Sequence, residues 1–395
     1  MLAPARLPRS LTGLLDGPGP VLVLVVLAAV SGAVAEGLTD LHVYRHAGQV
    51  VLDGESLART RDPVTGLPFT YPPFAGLVLV PLAWAPFWVA AALWTAASVT
   101  ALAAVVALAL RSLGRPAPGW LVALLTIGAV GLEPVWQNLS FGQVNLLLML
   151  AVLVDLLRPE RRWAGVLLGI AAGVKLTPLV FVVLLVLVGR RSAAGRAVLV
   201  FAATVALGFV VAQGPATAYW GDRLVDAARV GPPGLAHNQS AYGALTRLLD
   251  AEPPVLLWLV VAGSLSLVAL VVAARCWLRG DRLLGTCLGA LAMLIASPIA
   301  WSHHWVWAVP LALALWERSR VVSIAWTAVF VTRPFVWLPF GEGREFGWSW
   351  SEQLVGNAYF VCAVGVVAWA AVQAASATVP GMTVGGQSQA SSQGR

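Results

Sequence analysis

From Phe74 to Leu110 the chain carries no charged side chain, and only Pro81 and Pro86 interrupt the run. Comparable Ala/Leu/Val runs, about 20 residues long, recur along most of the remaining sequence. With 59% of residues hydrophobic and 11% charged, no soluble core could take up so much apolar surface. The solvent for such a chain is a bilayer. Backbone that crosses a bilayer must satisfy its own hydrogen bonds, so these runs imply helices and an all-α polytopic membrane protein. The 18 Trp and 25 Pro residues suit interfacial anchors and broken helices.

Reading the runs in order gives a first helix from about Pro20 to Glu36, taken as a retained signal anchor. Further helices are expected over 119–132, up to 157, 197–213, 254–276, 283–299, 303–316, 321–332 and 354–376. Segment 163–189 should break into two short helices meeting at Lys175-Leu176-Thr177-Pro178. The total is about 12 crossings, in a single membrane-embedded domain over 1–376. A Gly/Ser/Gln-rich stretch, 377–395, reads as a disordered cytoplasmic tail.

The net charge of +7 sits in short Arg clusters between apolar runs, which is a topology signal and not a nucleic-acid one. With the N-terminus inside, the inner tails and loops hold 16 Arg against five acids, and the outer loops hold eight Arg against 13 acids. Both termini are then cytoplasmic in a plasma-membrane protein. The polar island 39–73, the Gln143 loop, the 214–253 loop, the His303 region and the 333–353 loop all fall on the outer face. The three cysteines form no spacing motif, so neither a disulfide framework nor a metal cluster is expected.

Within the island, 39–51 reads as a helix lying at the membrane surface with Asp40 in its first turn. The helix dipole there favours the ionised carboxylate a general base needs; the plainer reading is an acid that caps or stabilises the helix. Leu41, Tyr44, Gly48 and Val51 recur at helical spacing as a lipid-facing stripe. His42 and His46 are four apart, but Val43 follows His42 where the zinc-protease motif has Glu, so interfacial histidines are expected. Arg45 can bind phosphate through its fork, or pair with Asp53 or Glu55. Tyr71-Pro72-Pro73-Phe74 is a rigid re-entry into the membrane.

Lys175 is the only lysine and lies in an apolar segment, where a charge costs roughly 2.5–3.5 kcal/mol, so it needs a partner or a purpose. A lipid phosphate is one partner; Glu133 or snorkelling to an interface is the alternative. Of His303 and His304, one reads as a phosphate or hydrogen-bond partner. Trp301, Trp305 and Trp307 read as belt anchors. Gln143 and Asn145 suit sugar hydroxyls, or hydrogen bonds between helices. The sequence has no P-loop, dinucleotide fingerprint or Asp-x-Asp, which leaves a soluble nucleotide-sugar donor unsupported.

Five motifs then carry a family resemblance: Asp40-Leu41-x-Val43-Tyr44, Phe69-Thr70-Tyr71-Pro72-Pro73-Phe74, Gly142-Gln143-Val144-Asn145, Lys175-x-x-Pro178 and Trp301-Ser302-His303-His304. In this order they resemble glycosyltransferase family 87, the polyprenol-phosphate-mannose-dependent α-(1→2)-mannosyltransferases of actinobacteria. The resemblance is clearest over 37–305. It implies a GT-C fold with outer-face loops carrying the site, and inverting transfer of mannose from a polyprenyl phosphate to a mannosylated glycolipid or glycan. Asp40 carries over as the base. Lys175, His303 and His304 are the candidates for the donor phosphate; Tyr44, Arg45, Tyr71, Gln143 and Asn145 are those for acceptor and sugar. No cofactor or metal is called for. The rival classes are a GT-C enzyme moving another lipid-linked sugar, a secondary transporter, and a non-catalytic scaffold.

Overall fold

A computed structural model describes residues 28–29, 31–57, 60–223 and 228–376. Most of the expected first helix and the whole 377–395 tail lie outside the described residues. The described part is helical throughout, with two isolated β-bridges. In chain order the helices are α1 (Thr39–Leu52), α2 (Pro73–Ala83), α3 (Phe87–Ser112), α4 (Gly119–Val130), α5 (Glu133–Phe141), α6 (Asn145–Leu156), α7 (Val166–Val174), α8 (Val180–Leu187) and α9 (Arg191–Val211). They continue as α10 (Gln213–Ala218), α11 (Ala241–Leu249), α12 (Val255–Leu278), α13 (Arg282–Ala296), α14 (Ala308–Trp316), α15 (Arg320–Thr332), α16 (Trp350–Gly356) and α17 (Ala358–Ser376).

The chain is a multi-pass membrane protein. Among the described residues, α3, α9, α12 and α17 are long and apolar enough to cross a bilayer alone. The pair α4 and α5, bent by 82°, makes a fifth if taken as one span. Helices α2, α6 and α13 are apolar but shorter; at 1.5 Å per residue each falls below a ~30 Å hydrocarbon core. Of these, α6 and α13 pack inside the bundle, while α2 leaves Val78 exposed. The central core runs through α3, α6, α13 and α14, where Leu102, Leu146, Leu288 and Leu311 are all inaccessible.

Proline and glycine set the breaks that shape the site. Lys175 leaves the helix with φ −148 and ψ 126, and a 3-10 turn over Thr177–Leu179 starts α8, as the Lys175–Pro178 segment predicts. Gly142, at φ 68, ends α5 in the left-handed conformation that glycine adopts without strain. A Cβ there would stand 2.6 Å from Leu41 Cβ, so α1 approaches this turn as closely as backbone allows.

Three expectations change. The stripe on α1 does not face lipid: Leu41, Tyr44 and Gly48 are buried in protein, with Gly48 against the Leu79–Val80 backbone of α2. An apolar stripe at helical spacing looks the same whether lipid or another helix covers it. The belt-anchor reading of Trp305 and Trp307 also fails. Both are buried, Trp305 against Phe330 and Tyr359 and Trp307 against Phe181, because the 3-10 turn Ser302–Trp307 runs into the core. The stretch 214–253, expected as a loop, carries helices α10 and α11 among its described residues. Ser240 caps α11, and the buried Arg247 donates to the carbonyls of Leu235 and Asn238 and to Asn357 Oδ1.

Candidate active site

A cavity of about 790 Å³ opens where α1, the Gln143 turn, the Lys175 break, the 229–237 loop and the 297–304 segment meet. Asp40, Tyr71, Gln143, Lys175, His303 and His304 all line it. Stretches far apart in the sequence thus converge on one chamber.

Asp40 sits in the first turn of α1 but does not cap it; Leu38 is the N-cap residue, and no side chain caps this end. The carboxylate is accessible from the cavity but otherwise enclosed. Burial raises its pKa from 3.8 to about 6, opposed by a hydrogen bond from Gln143 and by the positive charge of Lys175. Gln143 is itself fixed. Its N–H donates to Asn138 O at 2.8 Å, and its carbonyl accepts from Asn138 Nδ2 at 3.1 Å. Its side-chain oxygen takes the Tyr44 hydroxyl at 2.9 Å and the Tyr71 hydroxyl at 3.0 Å. Two tyrosine donors on the oxygen leave the amide NH2 for the carboxylate.

Among the described residues no carboxylate contacts Lys175. Its Nζ donates to Asn145 Oδ1 at 2.8 Å and lies 3.0 Å from His304 Nε2. It also stands 5.5 Å from the centre of the Tyr71 ring, a cation–π contact. An ammonium has only donors, so His304 Nε2 must accept, and the remaining N–H of the ring bonds to the Ile299 backbone. Asn145 Nδ2 completes the set by donating to His303 O at 3.2 Å. The Glu133 alternative is not what occurs: Glu133 is buried elsewhere and accepts from Tyr359 Oη at 3.0 Å.

His303 faces the cavity with Nε2 buried and without a protein partner. Its ring stands edge-on to Phe141 at 5.4 Å and nearly perpendicular to His304. His42, one of the α1 pair, stacks on Phe87 at 3.9 Å, away from the cavity lining.

Not every candidate reaches the chamber. Arg45 points away from it, donating to Ala85 O at 3.2 and 3.3 Å, and pairs with neither Asp53 nor Glu55. Tyr44 lies behind the lining and acts through Gln143. Asn145 lines an adjoining slot beneath Lys175. Conversely, Arg61, Tyr219, Arg229, His237 and Trp301 line the cavity and were not singled out for it. The signal for Trp301 was present, because it opens the motif that carries both histidines.

The arrangement offers an enclosed carboxylate, a lysine held by neutral partners and an open imidazole. That is the chemistry for taking a proton on one side and neutralising an anion on the other.

Comparison with known proteins agrees. The family described as Glycosyltransferase family 87 matches residues 69–298. A polyprenol-phosphate-mannose-dependent alpha-(1-2)-phosphatidylinositol pentamannoside mannosyltransferase of Mycobacterium tuberculosis (strain CDC 1551 / Oshkosh) is 35% identical over 356 residues, covering 84% of this chain and 80% of that protein. A polyprenol-phosphate-mannose-dependent alpha-(1-2)-phosphatidylinositol mannoside mannosyltransferase of M. tuberculosis (strain ATCC 25618 / H37Rv) is 34% identical over 375 residues, covering 86% of each. The pentamannoside enzyme of Mycolicibacterium smegmatis is 32% identical over 360 residues, covering 84% of each. No solved structure matches the chain. The five motifs, the extent of the family match and these identities agree, and the chain belongs to glycosyltransferase family 87.

Proposed function

We propose that this protein is an inverting mannosyltransferase. It moves mannose from a polyprenyl-phosphate carrier to a hydroxyl of a phosphatidylinositol mannoside or related mannosylated acceptor, forming an α-(1→2) linkage. The observation that carries this reading is the joint lining of one cavity by Asp40 and Lys175, each oriented by a neutral amide, Gln143 or Asn145. The relatives' names supply the sugar, the carrier and the linkage.

Asp40 is the base. The acceptor oxygen attacks the anomeric carbon while its proton passes to the Asp40 carboxylate. The bond from that carbon to the phosphate oxygen breaks, and polyprenyl phosphate departs from the opposite face with the bonding electrons. Attack opposite to departure turns a β-mannosyl phosphate into an α-mannoside. A carboxyl whose pKa is near 6 is a stronger base than an ordinary aspartate and is still ionised at neutral pH. Lys175 meets the charge that develops on the leaving phosphate, and His303 Nε2 adds a second contact. His304 and Asn145 hold the lysine.

The same reading places this single membrane-embedded domain with about 12 crossings, both termini in the cytoplasm and the cavity facing outward. Support comes from the Arg asymmetry and from the concentration of polar loops on one side.

The test is reconstitution of the purified protein with radiolabelled polyprenyl-phosphate mannose and phosphatidylinositol mannosides, for wild type and Asp40→Asn. Transfer by the wild type and its loss in the variant is the expected result. A wild type that uses no lipid-linked sugar sinks the transferase reading, and an unimpaired variant sinks only the base.

A further inference from the structure

One wall of the cavity takes no part in the base or phosphate chemistry. It is formed by Gly231, His237 and Trp301. The chain fixes these residues to one another. Gln239 N donates to Ala300 O at 2.9 Å, Ala300 N donates to Asn238 Oδ1 at 2.9 Å, and Asn238 pairs with Trp301 in an antiparallel bridge. Gly231, at φ 134, seats the indole: a Cβ there would stand 2.9 Å from Trp301 Cζ2. Packing rather than lipid therefore holds Trp301 in place, which corrects its reading as a belt anchor.

His237 is held as firmly. Its ring meets Phe335 at 5.1 Å and Phe340 at 5.4 Å, both edge-on. The loop behind it is tied down by Glu345, which accepts from Ala236 N at 3.1 Å and Gly341 N at 2.9 Å. Burial keeps the imidazole below its ordinary pKa, against the pull of the Glu345 carboxylate. A neutral imidazole has one donor and one acceptor.

An indole beside such a group is suited to a sugar. The C–H face of a hexose covers the apolar ring, and its hydroxyls satisfy the imidazole. The position of Lys175 indicates which sugar. In the reading above the donor phosphate sits on Lys175, whose partners are Asn145, His304 and the Tyr71 ring. Neither Trp301 nor His237 is among them, which leaves their wall of the cavity to the glycan of the other substrate.

We propose that Trp301 and His237 form an acceptor subsite, holding the mannose next to the one whose hydroxyl reacts. The proposal rests on the transferase reading above. The test measures KM for octyl α-mannoside and for an octyl α-linked dimannoside, with labelled polyprenyl-phosphate mannose, in wild type, Trp301→Phe and Trp301→Ala. Wild type should prefer the dimannoside. Trp301→Ala should raise the dimannoside KM by about tenfold and leave the monomannoside and donor KM unmoved. Trp301→Phe should fall between and shows that the wall still folds.

An equal rise for both acceptors, a rise in the donor KM, or no change would overturn the subsite while leaving the transferase intact. Failure of the wild type with every polyprenyl-phosphate sugar would overturn the transferase reading and the subsite with it.

Discussion

His304 Nε2 lies 3.0 Å from Lys175 Nζ, and because an ammonium can only donate, the ring nitrogen accepts. With its other ring N–H on the Ile299 backbone, His304 has no donor left for a phosphate. In the proposed reaction it therefore works through Lys175, whereas His303, whose Nε2 has no partner among the described residues, can reach substrate directly.

The first prediction is non-additivity. Lys175→Met should lower kcat/KM by roughly 10²–10³, the usual loss when one preorganised charge at a leaving group is removed. Lys175→Arg should not rescue it, because a planar fork cannot replace a point charge seated between Asn145 Oδ1 and His304 Nε2. Adding His304→Phe to Lys175→Met should cost little more, since both act as one unit, whereas His303→Phe should add its full effect. Steady-state kinetics on the two double variants checks this.

Asp40 predicts a pH profile. A base must be ionised, so kcat/KM should rise about tenfold per pH unit below the folded pKa and level off above about 6. Asp40→Asn should lower kcat by roughly 10²–10⁴. Its stability should move the other way. The folded pKa lies above the ordinary 3.8, so folding disfavours the charge, and that cost is present in full above about 6 and absent below 3.8. The variant should therefore melt higher than wild type at neutral pH, with the gap closing as pH falls through this window. Paired thermal melts across pH read it out.

Gln143 should tune that limb. Its hydrogen bond stabilises the ionised Asp40, so Gln143→Met should raise the carboxyl pKa and move the acid limb of kcat/KM to higher pH. Tyr44→Phe and Tyr71→Phe should move it in the same direction but less, because each loosens the amide without removing it. A limb that stays in place in Gln143→Met would break the link between this amide and the base.

Much of this was legible in the sequence, for identifiable reasons. Apolar length marked the helices, and the Lys175–Pro178 stretch marked the break, because a charge and a proline are both costly inside a span. Asp40, Lys175 and the two histidines were found as polar exceptions in an apolar chain. Arg45 was misplaced because residue type says nothing of direction, and its guanidinium is taken by the Ala85 carbonyl. His237 carries no signal in the sequence and Trp301 reads there as a belt anchor, because their place on one wall depends on a bridge between Asn238 and Trp301, far apart in the chain. Gly165, Gly169 and Gly173, four residues apart, were readable and passed over.

Those three glycines carry the last prediction. They lie along α7 and its N-terminus and let it press against α9: a Cβ at Gly169 would stand 2.6 Å from Ala197 O and 2.7 Å from Val200 Cβ, and one at Gly173 would strike Thr204. Small residues at this spacing are how helices approach closely where no hydrophobic effect drives them together. Lys175 follows directly on α7, its backbone N–H making a terminal bond to Ala171 O at 2.9 Å, so the helix–helix distance sets where the ammonium sits. Gly169→Ala must push α7 from α9, at a cost of about 1–3 kcal/mol for overpacking. The displacement should carry Lys175 away from Asn145 and His304. Melting temperature and kcat/KM should both fall, although position 169 lines neither the cavity nor the slot. Gly195→Ala on α9 is the control: a Cβ there meets nothing within 4 Å, so it should leave kcat/KM unchanged and raise the melting temperature slightly through helix propensity. A Gly169→Ala protein as active and as stable as wild type would show that this interface does not position the lysine.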